Sequence, residues 1–233
     1  MQVRCDLKVF EKFPDASIHA IVVDQVGQFS EQDSVAWKLR ALESVRESQI
    51  LPERLVETPA IQEWRNTFQR FGLKPSKYHS SIEQLYRRAL KGDIIETPLP
   101  LVNLYCYVSI IQLTPMGGYD LQKTQGDILI RHAKAEEEFT PLGNDKTIKS
   151  PPGVVVYTDS AGIICWGWNH RDSSRTSLDA GTQKAIFFAD SATQNSRGRA
   201  AHAITLLSEA LSSIGCLNLT FLTLDQQKSE ASF

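Results

Sequence analysis

The chain has 233 residues, of which 42% are hydrophobic and 22% charged, a balance that excludes intrinsic disorder and supplies enough apolar surface for one substantial core. Lys and Arg number 25 against 27 Asp and Glu, a formal net charge of −2, so no global positive field draws in phosphate backbones or anionic lipid, and any nucleic-acid contact has to be local. Cys5, Cys106, Cys165 and Cys216 lie far apart without a C-x-x-C pair, which argues against a zinc ribbon or a disulfide framework and predicts buried thiols in a reducing compartment.

The opening MQVRCDLKVFEKF is interrupted by Arg4, Asp6, Lys8 and Glu11, so it lacks the apolar stretch of a secretory signal, and the mature chain is expected to begin here. Residues 3–10 and 17–26 read as strands joined by a Pro-Asp turn, the second rich in β-branched side chains. From Ser34 to about Gly72 apolar residues recur three and four apart, which predicts amphipathic helices interrupted at Pro52 and Pro59. Ser80 and Glu83 are spaced as a capping box for IEQLYRRALKG, with Gly92 as its stop. Residues 97–119 carry no charge, but Pro98, Pro100, Asn103, Gln112 and Pro115 break up any bilayer span, and LPLVNLYCYVSIIQLT reads as a helix buried on most faces. DILIRHA, VVVYTD, GIICWGW, KAIFFAD and LNLTFLTL read as strands, with turns at Pro141–Asn144 and Asp159–Gly162. GRAAHAITLLSEALSSIG reads as a helix before the last of them. The expectation is one α+β domain over residues 1–225 followed by a frayed tail at 226–233, in a cytoplasmic protein without a membrane anchor.

The sequence has no G-x-x-x-x-G-K, no G-x-G-x-x-G after a strand, no H-E-x-x-H and no G-x-S-x-G, so the mechanical parts of the common nucleotide, zinc-protease and serine-hydrolase sites are missing. His170 and Asp172 near Cys165 imitate metal ligands without a second ligand pair, and a polar loop is the simpler account, so neither metal nor cofactor is expected. Cys106, inside the uncharged helix, reads as a core thiol because nothing cationic is near it in sequence. Three polar clusters remain. The first holds Arg65, Lys74 and Lys77, candidates for RNA phosphate contacts or a solvated helix end. The second joins Asn103 to Gly117, Gly118, Tyr119 and Asp120, read as a loop in which paired glycines let backbone approach a ligand and Asp120 accepts hydrogen bonds. The third, GWNHRDSSRT, combines the Trp168 ring and Asn169 with Arg171 and Arg175, whose forked donors suit carboxylate or phosphate; the structural alternative is that the two arginines pin their own loop.

These residues carry a resemblance. The run LVNLYCYVSIIQLTPMGGYD at 101–120 aligns without a gap to the editing-site segment of the bacterial phenylalanyl-tRNA synthetase β subunit, whose pattern is close to LVDxTNYVxLExxQPMHAFD, and the likeness extends through GDILIRHAKAEEEFTPLGN. It covers about residues 60–190. The motifs E-W-R, F-G-x-K-P-S, G-G-Y-D-L and W-N-x-R-D-S-x-R-T are similar to those of freestanding B3/B4 domain proteins.

The resemblance implies an α+β fold with layered β-sheets flanked by helices, and tRNA or aminoacyl-tRNA as partner. In the synthetase such a domain hydrolyses mischarged tyrosyl-tRNA, water attacking the ester to the terminal ribose. The positions that do this are altered here: the family's Thr-Asn pair falls on Tyr105 and Cys106, its His on Gly117, and its late-strand Glu near Phe187 and Phe188. The expected function is a trans-acting deacylase with a changed pocket, with Asp120 the candidate catalytic group. Asn103, Gly117, Gly118, Asp120, Trp168, Asn169, Arg171 and Arg175 are the expected pocket residues, Arg65, Lys74 and Lys77 the expected RNA contacts. The alternative is a non-catalytic module that binds an amino acid or the tRNA 3′ end.

Overall fold

A computed structural model describes residues 1–27, 30–144 and 146–233. The chain starts with β1 (Gln2–Cys5), α1 (Leu7–Lys12) and β2 (Ser17–Gln25), followed by α2 (Glu31–Glu47), a 3-10 turn at Pro52–Glu57, α3 (Pro59–Arg70), α4 (Ser81–Ala89) and α5 (Pro100–Gln112). Seven short strands come next: β3 (Met116–Asp120), β4 (Ile128–His132), β5 (Glu137–Phe139), β6 (Ile148–Ser150), β7 (Val155–Asp159), β8 (Gly162–Trp166) and β9 (Arg171–Asp172). β10 (Ala185–Ser191), α6 (Gln194–Ser213), β11 (Leu217–Leu224) and β12 (Glu230–Ser232) complete the α+β architecture.

The strands form a six-stranded sheet ordered β12-β1-β4-β7-β8-β9, a four-stranded sheet ordered β11-β2-β10-β3, and the small hairpin β5-β6. β1 and β4 run parallel; the other pairs in these sheets are antiparallel. β10 is buried along its whole length and β2 along residues 17–23, as expected of inner strands covered on both faces. α6 packs on β10 and β2, and α5 packs against α2 and α6, so the uncharged helix is covered by other helices. Leu104, Tyr107, Val108 and Ile110 of α5 are fully buried, and side chains of both large sheets and the helices share one apolar cluster. No helix among the described residues is long and apolar enough to cross a membrane.

Pro59 begins α3 at a position whose N–H has no helical partner anyway. Ser80 caps α4 by accepting from Glu83 N at 3.3 Å, but the other half of the expected box is absent. The Glu83 carboxylate, fully buried, instead accepts from Arg65 and Arg87, both at 2.7 Å.

Three segments depart from the sequence expectation. Residues 3–10 are not one strand: Asp6 Oδ1 accepts from Lys8 N at 3.0 Å and opens α1, which turns Val9 and Phe10 into the core. The glycine pair is not a loop but strand β3, paired along its length with β10. The last residues are not frayed, because Gln2, Val3 and Arg4 of β1 pair with Ser232, Ala231 and Glu230. Removing residues 226–233 takes about two or three ladder hydrogen bonds from the edge of the larger sheet, each worth about 0.5–1.5 kcal/mol net. At about 2–4 °C per kcal/mol for a chain of this size, the truncated protein is expected to melt several degrees lower in a calorimetric scan; an unchanged Tm contradicts the pairing.

Candidate functional site

Strand alternation builds a cavity of about 260 Å³ between the two large sheets, with α4 and α5 along its sides. On β10, Phe188 and Asp190 are two apart and share the face that lines it; on β3, which pairs Gly117 with Phe188, the lining residues of that face are Gly117 and Tyr119. From the other sheet come Tyr157, Cys165 and Asp172, which lie in one cross-strand row because Tyr157 pairs with Cys165 and Cys165 with Asp172. α5 contributes Tyr105 and Cys106, and the turn between β8 and β9 contributes Trp168, Asn169 and His170. The exposed Arg171 and Leu142 stand at the mouth.

Two tyrosine–aspartate pairs cross the gap in opposite directions. Tyr119 Oη on β3 donates to Asp172 Oδ1 on β9 at 2.8 Å, while Tyr157 Oη on β7 donates to Asp190 Oδ1 on β10. Burial pushes both phenols well above their ordinary range, so they act as fixed neutral donors. Burial also raises the Asp190 carboxyl to about 7, against the pull of Tyr157, Asn169 and Trp168, and the neighbouring Asp172 adds to the rise. Asp172 is raised for the same first reason, opposed by Tyr119, Cys165 and Arg171. Neither cavity thiol is a nucleophile: burial pushes Cys106 up to about 12 and Cys165 well above the usual thiol range.

The β8–β9 turn holds two successive residues in the left-handed region, Gly167 at φ 72° and Trp168 at φ 64°. For a bulky residue this costs about 1–3 kcal/mol, and the surroundings enforce it: Trp168 N donates to Val155 O at 2.6 Å, and the indole packs edge-on against Phe13 and Trp64 with centroids at 5.1 and 5.5 Å. The turn presents Asn169 to the cavity. Its Nδ2 donates to Asp190 Oδ2 at 3.4 Å, while its Oδ1 is buried with no hydrogen-bond partner among the described residues. His170 Nδ1 meets His79 O at 2.7 Å, tying this turn to the segment before α4.

The structure brings together Gly117, Trp168, Asn169 and Arg171 of the expected pocket residues, and separates the others from them. Asp120 and Gly118 lie on the opposite face of β3 from Gly117 and Tyr119, since successive side chains of a strand alternate. There Asp120 accepts from Thr182 Oγ1 and Gln122 N, each at 2.8 Å, and Gly118 approaches the Phe187 ring so closely that an added Cβ would meet it at 2.8 Å. Asn103 bonds to both backbone groups of Thr97 at 2.8 and 2.9 Å, fastening the entry to α5. Arg175 makes a paired contact with Asp159 at 2.8 and 2.6 Å and pins its loop, whereas the Arg171 guanidinium makes no hydrogen bond or ion pair among the described residues. Of the expected RNA contacts, Arg65 is committed to Glu83, while Lys74 and Lys77 are exposed beside the turn leading to α4. Asp190, Asp172, Tyr119 and Tyr157 carry the polar chemistry of the cavity. The sequence reading places phenylalanines where the family has its late-strand Glu; the cavity carboxyl on that strand is Asp190, two residues beyond Phe188, and alternation along FFAD is the signal that puts both on one face.

Layered sheets enclosing a polar cavity beside a buried helix define the class, and comparison with known proteins gives the family. The chain belongs to the B3/4 domain family, whose pattern it matches over residues 63–214. It is 32% identical over 81 residues to the phenylalanine–tRNA ligase β subunit of Chromobacterium violaceum, a stretch that is 35% of this chain and 10% of that protein. An N-terminal fragment of the phenylalanyl-tRNA synthetase β subunit from Pyrococcus horikoshii shares the fold with a TM-score of 0.52 at 11% identity, over 94% of this chain and 49% of the fragment. The chain thus spans a tenth of the curated relative and about half of the structural one.

The Asp190 pair has a thermodynamic signature. The folded protein keeps a proton that the unfolded chain releases near 3.8, so this group's contribution to stability is fully present at low pH and declines as pH rises toward about 7. Between pH 5 and pH 8 the loss is about 2–3 kcal/mol at 1.36 kcal/mol per unit. Asp190→Asn, which cannot ionise, is expected to gain on the wild type by that amount over the same interval in urea melts; a difference independent of pH refutes the assignment.

Proposed function

We propose that the chain is an aminoacyl-tRNA deacylase that takes the aminoacyl group into the cavity between the sheets and leaves the RNA at its mouth. The observation that carries this reading is the Asp172 carboxyl. Tyr119 holds one of its oxygens, the other accepts no hydrogen bond from an oxygen or nitrogen donor among the described residues, and burial raises its pKa, which makes it a stronger base than an exposed carboxylate. In this scheme Asp172 Oδ2 takes a proton from a water that attacks the ester carbonyl, the carbon–oxygen bond to the ribose breaks, and the ribose oxygen leaves with the proton that Asp172 took. Arg171, unpaired at the mouth, meets the negative charge of the carbonyl oxygen or of the terminal phosphate. Lys74 and Lys77 lie near the same side, since the turn they flank is tied to the β8–β9 turn through His79 and His170. The membership in the B3/4 family and the likeness to synthetase β subunits support tRNA as the carrier.

The second reading is a binding module without catalysis, favoured by the fact that each cavity carboxyl is already engaged by a tyrosine hydroxyl. A panel of aminoacyl-tRNAs separates the two: ester loss above the spontaneous rate, reduced at least a hundredfold in Asp172→Asn with melting unchanged, is the expected result, since a positioned general base contributes roughly 10²–10⁴-fold. Spontaneous rates across the whole panel reject the deacylase.

Arg171→Lys supplies an independent check. Because the guanidinium has no structural partner, the variant is expected to melt with the wild type while losing most affinity for the tRNA 3′ end, since lysine lacks paired donors. A lowered Tm with affinity retained assigns Arg171 a purely structural role. With three cations available to single-stranded phosphates, log affinity is expected to fall against log salt with a slope of about −2, and salt-independent binding contradicts the reading.

A further inference from the structure

Two cations line the cavity, Arg88, which is bonded to Asp93, and the exposed Arg171 at the mouth, while the end around Asp190 presents acceptors and aromatic faces. Asp190, 4% exposed on the inner strand β10, lies deeper than Asp172, which is half-buried on the edge strand β9 next to the exposed Arg171. Beside Asp190 the Asn169 amide turns its N–H toward the carboxylate, which leaves Asn169 Oδ1 buried, 7% exposed as a residue and without a donor. A buried acceptor left unpaired is costly, so the wall is complete only when a donor arrives. Around it the rings of Tyr119, Tyr157 and Phe188 pack on one another with centroids 5.1–6.5 Å apart. Carboxylate, orphan carbonyl and clustered aromatic faces together are the surroundings that stabilise a desolvated organic cation.

We propose that this inner end receives the ammonium group of a positively charged aminoacyl side chain, so that the substrates of this chain are esters of basic amino acids. The inference rests on the reading that the cavity takes an aminoacyl group. Its logic is positional. The ester and the α-ammonium sit next to the ribose at the mouth, whereas the group that reaches Asp190 is the far end of the side chain. A tyrosine side chain, the substrate the synthetase resemblance implies, brings one hydroxyl to a site whose two carboxyls already accept from Tyr119 and Tyr157, and it leaves the acidic wall without countercharge.

The protonation state of the wall agrees with this. The ionisable groups facing Asp190 are Tyr157 on β7, Cys165 on β8, Asp172 on β9 and Cys5 on β1. Burial keeps the phenol and both thiols neutral, so Asp190 is the group whose charge changes near neutrality. A bound ammonium ionises Asp190 and releases its proton, and ligand affinity weakens as pH falls and that proton returns.

The test uses non-hydrolysable probes on the full chain: isothermal titration with the N-methylamides of lysine, Nα-acetyl-lysine, norleucine and tyrosine. The lysine and Nα-acetyl-lysine amides are expected to bind at least tenfold more tightly than norleucine or tyrosine. Their affinity is expected to fall by about tenfold from pH 7 to pH 6, with proton release seen as a buffer-dependent heat. Asp190→Asn is expected to abolish the preference; if that variant does not fold, the wild-type pH dependence and proton release decide. Equal binding of norleucine and lysine amides, tighter binding of tyrosine amide, or binding of MgCl2 with no response to any amine overturns the proposal. Failure is distinguishable from that of the deacylase: hydrolysis of uncharged aminoacyl-tRNAs without lysine-amide binding sinks this inference alone, and lysine-amide binding without hydrolysis of any aminoacyl-tRNA sinks the deacylase alone.

Discussion

Two carboxyls buried between two sheets need donors, and here each sheet supplies the donor for the acid of the other. Tyr119 reaches from the four-stranded sheet to Asp172, and Tyr157 reaches back from the six-stranded sheet to Asp190. A hydrogen bond to a charged group is worth about 1.5–3 kcal/mol, whereas desolvating a carboxylate costs several. Ionised, the pairs therefore do not stabilise the fold, and Asp190 keeps its proton up to about pH 7 instead. What they do is fix the spacing and register of the sheets around the cavity. Fully apolar residues at the same positions would close the gap and bury more surface at lower cost, so retention of two acids there points to a site kept at the expense of stability.

The elements that build this frame were legible where periodicity was strong. KAIFFAD, VVVYTD and GIICWGW read as strands, and the uncharged run before PMGGYD read as a buried helix, because hydrophobic burial decides those segments locally. α1 was missed because Leu7, Val9 and Phe10 look β-like until Asp6 is recognised as a cap. β12 was missed because EAS carries no signal of its own and is held by β1, a partner more than 200 residues away.

The site was half legible for a related reason. Treating Gly117 to Asp120 as a loop let every polar group in it converge on one pocket. As a strand, the same residues divide between two faces, and Asp120 goes to the wrong one. The acids that do line the cavity were passed over: Asp172 had been considered with His170 as a metal imitation, and Asp190 stood two residues past the position inspected. Asn103 and Arg175 are polar residues whose partners, Thr97 and Asp159, sit in other turns, and sequence alone does not distinguish a fastening from a ligand contact.

Depth sets the two acids in different surroundings. Asp172 belongs to an edge strand and shares the mouth with Arg171, where an ester and its RNA carrier would lie; Asp190 belongs to an inner strand and has no cation near it. The strained Gly167–Trp168 turn joins these ends, because it seats the indole in the core, aims Asn169 at Asp190 and places Arg171 two residues further on at the opening. A small rearrangement of that turn would move the orphan Asn169 carbonyl and the exposed guanidinium together. The recognition proposed at the inner end and the charge stabilisation proposed at the mouth would thereby be linked through three consecutive residues, at the cost of holding Trp168 at φ 64°.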